Sequence, residues 1–396
     1  MEIFLKQIEE FIAPEEVRDL LARLIRSRSL NPPGDVRECA QLIAADLEGR
    51  GLPAEIIEEK TGVANVVSRL EGRGNGKTLI WNGHFDVVPP GEDWQEDPFS
   101  GEYRDGYLYG RGTSDMKSGL AAMMIALGAL KKSGAPFQGR IVLQAVGDEE
   151  TGSENGTVVM IRNNIGAGAA FAIVGEPTDL AVSIGNRGLR WIEVLVKGRA
   201  SHAGRPHMGA NAIQAASRMI QELHRLPLER HHPLFEIPHP SLSVTLIAGG
   251  AKINIIPSRC SFSIDRRMVP GETTESVLGE IKEIVGKNKE EGISAEVRVI
   301  HSGWDPYAID PELPAVRGLC QTVEEISGRP PRIKGKAGCT DASHLFHRAG
   351  IPSVCLGPGL EDMAHAANER VSLEKVIQAA KIYARSAVKL LDGQSL

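Results

Sequence analysis

Apolar and polar positions along the chain fall into two different rhythms. From about residue 20 to 180, stretches with helical periodicity alternate with short apolar runs. "DVRECAQLIAADLEGRG" and "GLAAMMIALGALKKSG" have helical character and stop at glycine, whereas "TLIWNGHFDVV", "GRIVLQAVGDEE" and "GAAFAIVGEP" have strand character. That order predicts an α/β layer whose central sheet is mostly parallel and flanked by helices. In such sheets a site forms beyond the carboxyl ends of the strands. Three predicted strands end there in acids or histidine: His84 with Asp86, Asp148 with Glu149 and Glu150, and Glu176.

The rhythm changes near residue 183. "GLRWIEVLVKGRA" alternates as a half-exposed strand does, "NAIQAASRMIQELHRL" is an amphipathic helix, and "SLSVTLIAGG" and "SRCSFSIDRRMV" are strands. A second helix, "ESVLGEIKEIVGKNKEEG", and a strand, "SAEVRVI", follow. Strand, helix, strand, strand, helix, strand describes a compact α+β sandwich. After residue 300 the first texture resumes and ends in the helix "SLEKVIQAAKIYARSAVKLL". The expected organisation is a discontinuous main domain, 1–182 and 301–396, with an inserted domain at 183–300.

Composition narrows the class. A chain of 396 residues is too long for one ordinary core. Hydrophobic content of 42% and charged content of 24% describe a soluble globular protein. A net charge of −6 gives no reason to expect nucleic acid or an anionic membrane as partner. The first residues, "MEIFLKQIEEFIAPEEVRDLLARLIRS", carry acids throughout and lack the features of a secretory signal; they predict an amphipathic helix interrupted at Pro14. No apolar run approaches a membrane span. Cys39, Cys260, Cys320, Cys339 and Cys355 are scattered without CxxC spacing, which suits reduced thiols and a cytoplasmic location.

On an extended strand alternate side chains share a face, so His84 and Asp86 emerge together while Phe85 turns away. Buried without partners, such a pair would be costly. Other potential metal donors lie far apart in sequence: Asp115 in the glycine-rich "LYGRGTSDMKSG", Glu150, Glu176, and His365 in "DMAHAANERV". None fits a local metal motif. Each lies where an apolar strand runs out or in a turn.

Six blocks occur in order over nearly the whole chain: "GHFDVVPPGEDW", "LYGRGTSDMKSGLAAM", "GDEETGS", "VGEPT", "GRASHAGRPHMGANAI" and "AHAANERV". Together they resemble the dizinc amidohydrolases and metallopeptidases that include acetylornithine deacetylase, succinyl-diaminopimelate desuccinylase, aminoacylase and glutamate carboxypeptidase. The resemblance implies two Zn2+ per subunit, with Co2+ or Mn2+ as substitutes. His84 would bind one ion, Asp115 would bridge both, and Glu176 would complete the first; Glu150 and His365 would complete the second. It further implies a cis peptide after Asp115, Glu149 as general base, and Asp86 as a supporting catalytic residue beside the metal.

These roles have a physical logic. Three carboxylates against two divalent ions leave one positive charge, which a bridging hydroxide balances, and paired ions make water a nucleophile at neutral pH. Oxygen and imidazole donors suit zinc. Neighbours on an extended segment point apart, so Glu150 can hold metal while Glu149 reaches the water. By itself, an acidic strand end followed by Thr-Gly is also an ordinary surface turn. Asp86 as helper rather than ligand follows from the habit of metal-bound histidine to donate its free N–H to a carboxylate or carbonyl.

By the same resemblance the inserted domain is a lid and dimerisation domain, and His202 reaches the partner subunit's site to stabilise the oxyanion. Without the resemblance His202 is a surface histidine in a glycine-rich loop. "AKINIIPSRC" and "SFSIDRRMVP" map Asn254 and Arg267 onto groups that hold a substrate carboxylate or the oxyanion, with Arg266 facing away. An exposed arginine in a salt bridge is the plain alternative. Thr340 and Asp341 in "GCTDASHLF" match a loop bordering the site, which makes them substrate-binding candidates, with Asp341 to meet an amine on the substrate; an Asx-type turn is the alternative there.

The expected activity is hydrolysis of the amide in a small N-acyl amino acid by a homodimer. Glu176, where some peptidase relatives carry aspartate, leans toward deacylases. A dipeptidase or carboxypeptidase is the alternative within the class. Outside it stands a catalytically silent metal-binding or ligand-binding relative, against which the complete donor set argues.

Overall fold

The structure, a computed structural model, describes residues 2–288 and 290–392. The chain forms two compact units: Met1–Gly185 with Ile309–Lys336 and Thr340–Leu396, and Asn186–Ala308 with Ala337–Cys339.

The first unit is built on a mixed sheet. Its strands are β1 (Ala54–Lys60), β2 (Val63–Glu71), β3 (Arg73–His84), β4 (Gln138–Val146), β5 (Phe171–Val174), β6 (Val182–Asn186), β7 (Ile333–Lys336) and β8 (Ser353–Cys355). They are ordered β1-β2-β4-β3-β5-β8-β6, with β7 beside β6. The parallel pairings are central, β4 with β3, β3 with β5 and β5 with β8. The flanks, β1 with β2, β2 with β4 and β8 with β6, are antiparallel. The parallel centre is the part the sequence predicts from its alternating helices and strands, and it carries the near-continuous burial expected of strands covered on both faces.

Helix Lys117–Ser133 is buried from Lys117 to Leu130, lies beside helices Pro14–Arg26 and Leu373–Leu391, and stops at Gly134, whose φ of 62° only glycine adopts readily. Trp81 on β3 meets Tyr383 on the closing helix, ring centroids 5.8 Å apart. The N-terminal segment breaks at Pro14 into helices Glu2–Glu10 and Pro14–Arg26. Among the described residues no helix is long and apolar enough to cross a membrane.

The second unit carries an antiparallel sheet in the order Ser241–Gly249, Arg259–Met268, Gly188–Lys197, Ser294–Trp304. Strand Arg259–Met268 alternates buried and part-exposed side chains along its length. Its inward set, with Cys260, Phe262 and Ile264, packs with Ile192, Val194, Met219 and Ile281 against helices Ala212–His224 and Thr274–Lys287. Asn211 caps the first helix and Thr273 forms a capping box with Ser276 on the second.

Candidate metal centre

The parallel register brings the strand ends together. His84 at the end of β3 stands opposite Val146, the last residue of β4, and Asn82 stands opposite Val174, the last of β5. Glu149 and Glu176, just past those ends, therefore arrive beside His84. A close approach fixes Glu176: a Cβ on Gly119 would lie 2.0 Å from the Gly175 carbonyl oxygen, so only glycine lets helix Lys117–Ser133 sit against this strand end.

Asp115 is the junction. Its Oδ1 is 3.2 Å from His84 Nε2 and its Oδ2 is 3.5 Å from His365 Nε2. On one side, Glu176 Oε1 lies 3.7 Å and Glu149 Oε2 4.0 Å from His84 Nε2. On the other, Glu150 Oε1 and Oε2 lie 3.2 and 3.1 Å from His365 Nε2. His84, Glu149 and Glu176 form one group able to hold a cation, and Asp115, Glu150 and His365 another. The peptide between Asp115 and Met116 is cis.

The charges fit a cation-binding role. Burial pushes the Glu149 carboxyl well above its ordinary value, eased by His84 and reinforced by Glu176 and Glu150. Burial raises Glu150 as well, and raises Glu176 to about 7 despite Lys336. For Asp115 burial works upward, but the hydrogen bond and charge of His84 prevail and hold it at about 2. For His84 burial works downward, and the carboxylates around it still hold it well above the usual histidine range. So many buried acids, with two imidazoles and Lys336 among them, suit bound divalent cations.

Strand β3 ends at His84, earlier than the run "TLIWNGHFDVV" suggests, so Asp86 lies beyond it. His84 Nδ1 lies 2.9 Å from the Asp86 backbone carbonyl and 3.5 Å from Asp86 Oδ1, so the carbonyl is the nearer acceptor. The Asp86 carboxylate instead accepts the backbone N–H groups of Glu149 and Glu150, each at 3.1 Å, and the Asn31 amide at 2.9 Å. Glu149–Thr151 is a 3-10 turn rather than extended strand, and this turn sends the two glutamates to different groups.

Three supporting residues escaped the reading of the sequence. Lys336 is buried with Nζ 3.4 Å from Glu176 Oε2. Glu369 is fully buried and accepts backbone N–H groups of Ser114 and Asp115. Arg111 pairs with it at 2.7 Å. The arginine in "GRG" and the glutamate in "NER" stand inside the quoted blocks, which was the available signal; no local pattern marks Lys336.

Thr340 caps helix Asp341–Ala349, its hydroxyl accepting from Ala342 N at 3.3 Å. Asp341 is buried; it accepts from the Ser153 hydroxyl and, at 2.8 Å, from Thr157 Oγ1, and burial lifts its carboxyl to about 6. Its oxygens are engaged inside the first unit.

The remaining candidates belong to the second unit. His202 is exposed, on the two-residue strand Ser201–His202 paired with Ile255–Ile256, and Ala203 N donates to the Asn254 carbonyl at 3.0 Å. His202 Nδ1 accepts from Gly204 N at 3.0 Å, which leaves Nε2 as the protonated, donating end of a neutral ring. Arg267 is part-exposed and donates to both oxygens of Asp265, at 2.8 and 3.2 Å, whereas Arg266 is buried on the opposite face against Glu272.

Histidine and carboxylate donors gathered around one aspartate beyond the carboxyl ends of parallel strands define a metal-dependent hydrolase. Residues 80–389 match Peptidase family M20/M25/M40. Succinyl-diaminopimelate desuccinylase 2 of Ruegeria sp. (strain TM1040) is 30% identical over 378 residues, 93% of each chain. N-formyl-4-amino-5-aminomethyl-2-methylpyrimidine deformylase of Bacillus subtilis (strain 168) is 31% identical over 95% of this chain and 94% of its own. The fold is shared with the metallo-carboxypeptidase Sso-CP2 of Sulfolobus solfataricus, at a TM-score of 0.79 and 21% identity over 96% and 99% of the two chains. The chain belongs to Peptidase family M20/M25/M40 and is a metal-dependent hydrolase of amide bonds.

Proposed function

We propose that the protein hydrolyses the amide bond of N-acyl amino acids, as a deacetylase, desuccinylase or aminoacylase. The observation that carries this reading is Asp115, whose two oxygens face separate histidine-containing groups at 3.2 and 3.5 Å. His84, Asp115 and Glu176 would hold one Zn2+, and Asp115, Glu150 and His365 the second, with Co2+ or Mn2+ as substitutes. When bound, the ions polarise the amide carbonyl and lower the pKa of water.

Glu149 acts as general base: its carboxylate takes a proton from water and returns it to the leaving amine nitrogen. Burial raises its proton affinity above that of an ordinary glutamate, which favours accepting the proton. Asp86 positions Glu149 and Glu150 through their N–H groups. Thr340 and Asp341 shape the border of the site from inside, through the helix cap and the Ser153 and Thr157 hydroxyls. Asn254 and Arg267 bind the substrate carboxylate or the oxyanion, and His202 Nε2–H donates to the oxyanion across a homodimer.

Residues 183–300 serve as the lid and dimerisation domain. The strand Ser241–Gly249 is a sheet edge, and exposed Leu246, Ile247, Ile253, Ile255 and Met208 lie on the unit that carries it. Ile213 lies against Gly249 and Gly250 beside that edge. An uncovered apolar edge of this kind supports pairing with a second copy. Its free cysteines support a cytoplasmic location.

Relatives named for desuccinylation and deformylation support an N-acyl substrate. A hydrolysis screen in zinc and in cobalt, with N-acetyl, N-succinyl and N-formyl amino acids alongside dipeptides, tests it. Turnover of dipeptides alone would make it a peptidase; turnover of nothing would favour a silent relative.

A further inference from the structure

The ligands of the candidate centre are held in unequal ways. His84 ends β3, and Glu176 follows β5 at the Gly119 contact, so both rest on the sheet. Asp115 and His365 stand on loops, and His365 has a φ of 62° in a segment without strand or helix. Something else must fix those two.

That something is a buried ion pair. Glu369 Oε1 accepts from Ser114 N at 2.7 Å and Asp115 N at 3.0 Å, and Oε2 accepts from Gly112 N at 2.9 Å and Arg111 Nη1 at 2.7 Å. Arg111 then donates from Nη2 to the carbonyl of His365 and from Nη1 to that of Ala366, at 3.2 and 3.1 Å, and from Nη2 to that of Pro90 at 3.2 Å. The arginine fork and the carboxylate thus tie the loop of Asp115 to the loop of His365, and both side chains are almost wholly buried. Neither one offers an oxygen or nitrogen to the centre itself. Apart from the bond between them, their hydrogen bonds given above all go to backbone, as in groups that orient ligands rather than act as ligands.

We propose that Glu369 and Arg111 are positioning residues for the second metal, and that the ion at Asp115, Glu150 and His365 depends on them more than the ion at His84 and Glu176. This rests on the paired-metal reading above.

The test titrates metal-free full-length protein with Co2+, following visible absorption and bound metal after desalting, and records melting of the metal-free form. His84→Ala and His365→Ala supply the spectra of each ion alone. Glu369→Gln and Arg111→Met should each weaken the second Co2+ by roughly 10-fold or more, as loss of outer partners does. The first ion should weaken far less, and the remaining one-ion spectrum should match that of His365→Ala. Because a lone buried charge destabilises the fold by itself, the double variant Arg111→Met with Glu369→Met is the decisive control. It should recover melting temperature without recovering the second ion. Recovery of both, or parallel loss of both ions in the single variants, would overturn the proposal. A wild-type protein that takes up only one Co2+ would instead sink the paired-metal reading beneath it.

Discussion

The carboxylate of Asp86 holds the backbone N–H of Glu149, Oδ1 to N at 3.1 Å, and its other oxygen holds the next N–H along, that of Glu150. One side chain on the β3 side thereby sets the turn after β4. Asp86→Ala should cut kcat/KM by about 100-fold, because a displacement of about 1 Å at reacting groups has that effect, while part of the metal stays bound. His84→Ala should lose one ion. Metal analysis beside steady-state kinetics separates the two, and equal metal loss would remove the distinction between ligand and helper.

Glu149→Ala should retain both ions and lose activity by about 10²–10⁴-fold, the range of general acid–base catalysis. Metal content and turnover measured on one preparation decide it. Normal turnover in a fully loaded variant would eliminate Glu149 as the base.

The Glu176 carboxyl is raised from 4.5 to about 7, with burial the main cause. Between those values the folded metal-free protein holds a proton that the unfolded chain has released. This contribution to stability is therefore full below about pH 4.5 and is lost as pH rises through about 7. A bound cation takes the place of that proton, so the rise in melting temperature on adding Zn2+ should grow from about pH 5 to about pH 7.5. Melting of metal-free and loaded protein across that range checks the trend; a flat difference would contradict it.

Gly119→Ala places a methyl 2.0 Å from the Gly175 carbonyl oxygen, where backbone meets backbone and neither side chain can yield. Overpacking of this kind costs about 1–3 kcal/mol. Chemical denaturation should show that loss, accompanied by weaker binding of the ion at His84 and Glu176, since the displaced strand end carries Glu176.

Leu246→Lys places a charge on the exposed edge strand of the second unit, where the leucine is 69% exposed. If two copies pair there, sedimentation should shift to the monomer with little change in fold, and activity should fall with the His202 contribution. A dimer that survives the change would locate pairing elsewhere.

Much of this protein is written locally in its sequence. The alternation of helical and strand rhythms defines the α/β frame, because each element needs one buried face and the period of its apolar residues states which kind it is. Strand ends carrying His84, Glu149, Glu150 and Glu176 mark the site, because parallel strands present their carboxyl ends together. What the chain could not disclose are relationships between distant segments. The antiparallel flanks of the sheet depend on which strands become neighbours. Asp86 shares a strand run with His84 in sequence, yet its carboxylate is given to the N–H groups of Glu149 and Glu150, more than sixty residues away. Glu369 stands in a recognisable block, but its work is done on backbone about 255 positions earlier. Lys336 meets Glu176 only because folding seats β7 near that strand end. Residue type and periodicity fix local conformation and the donors available. Which buried charge faces which backbone amide is decided by packing in three dimensions, and that choice fixes how the donors are held.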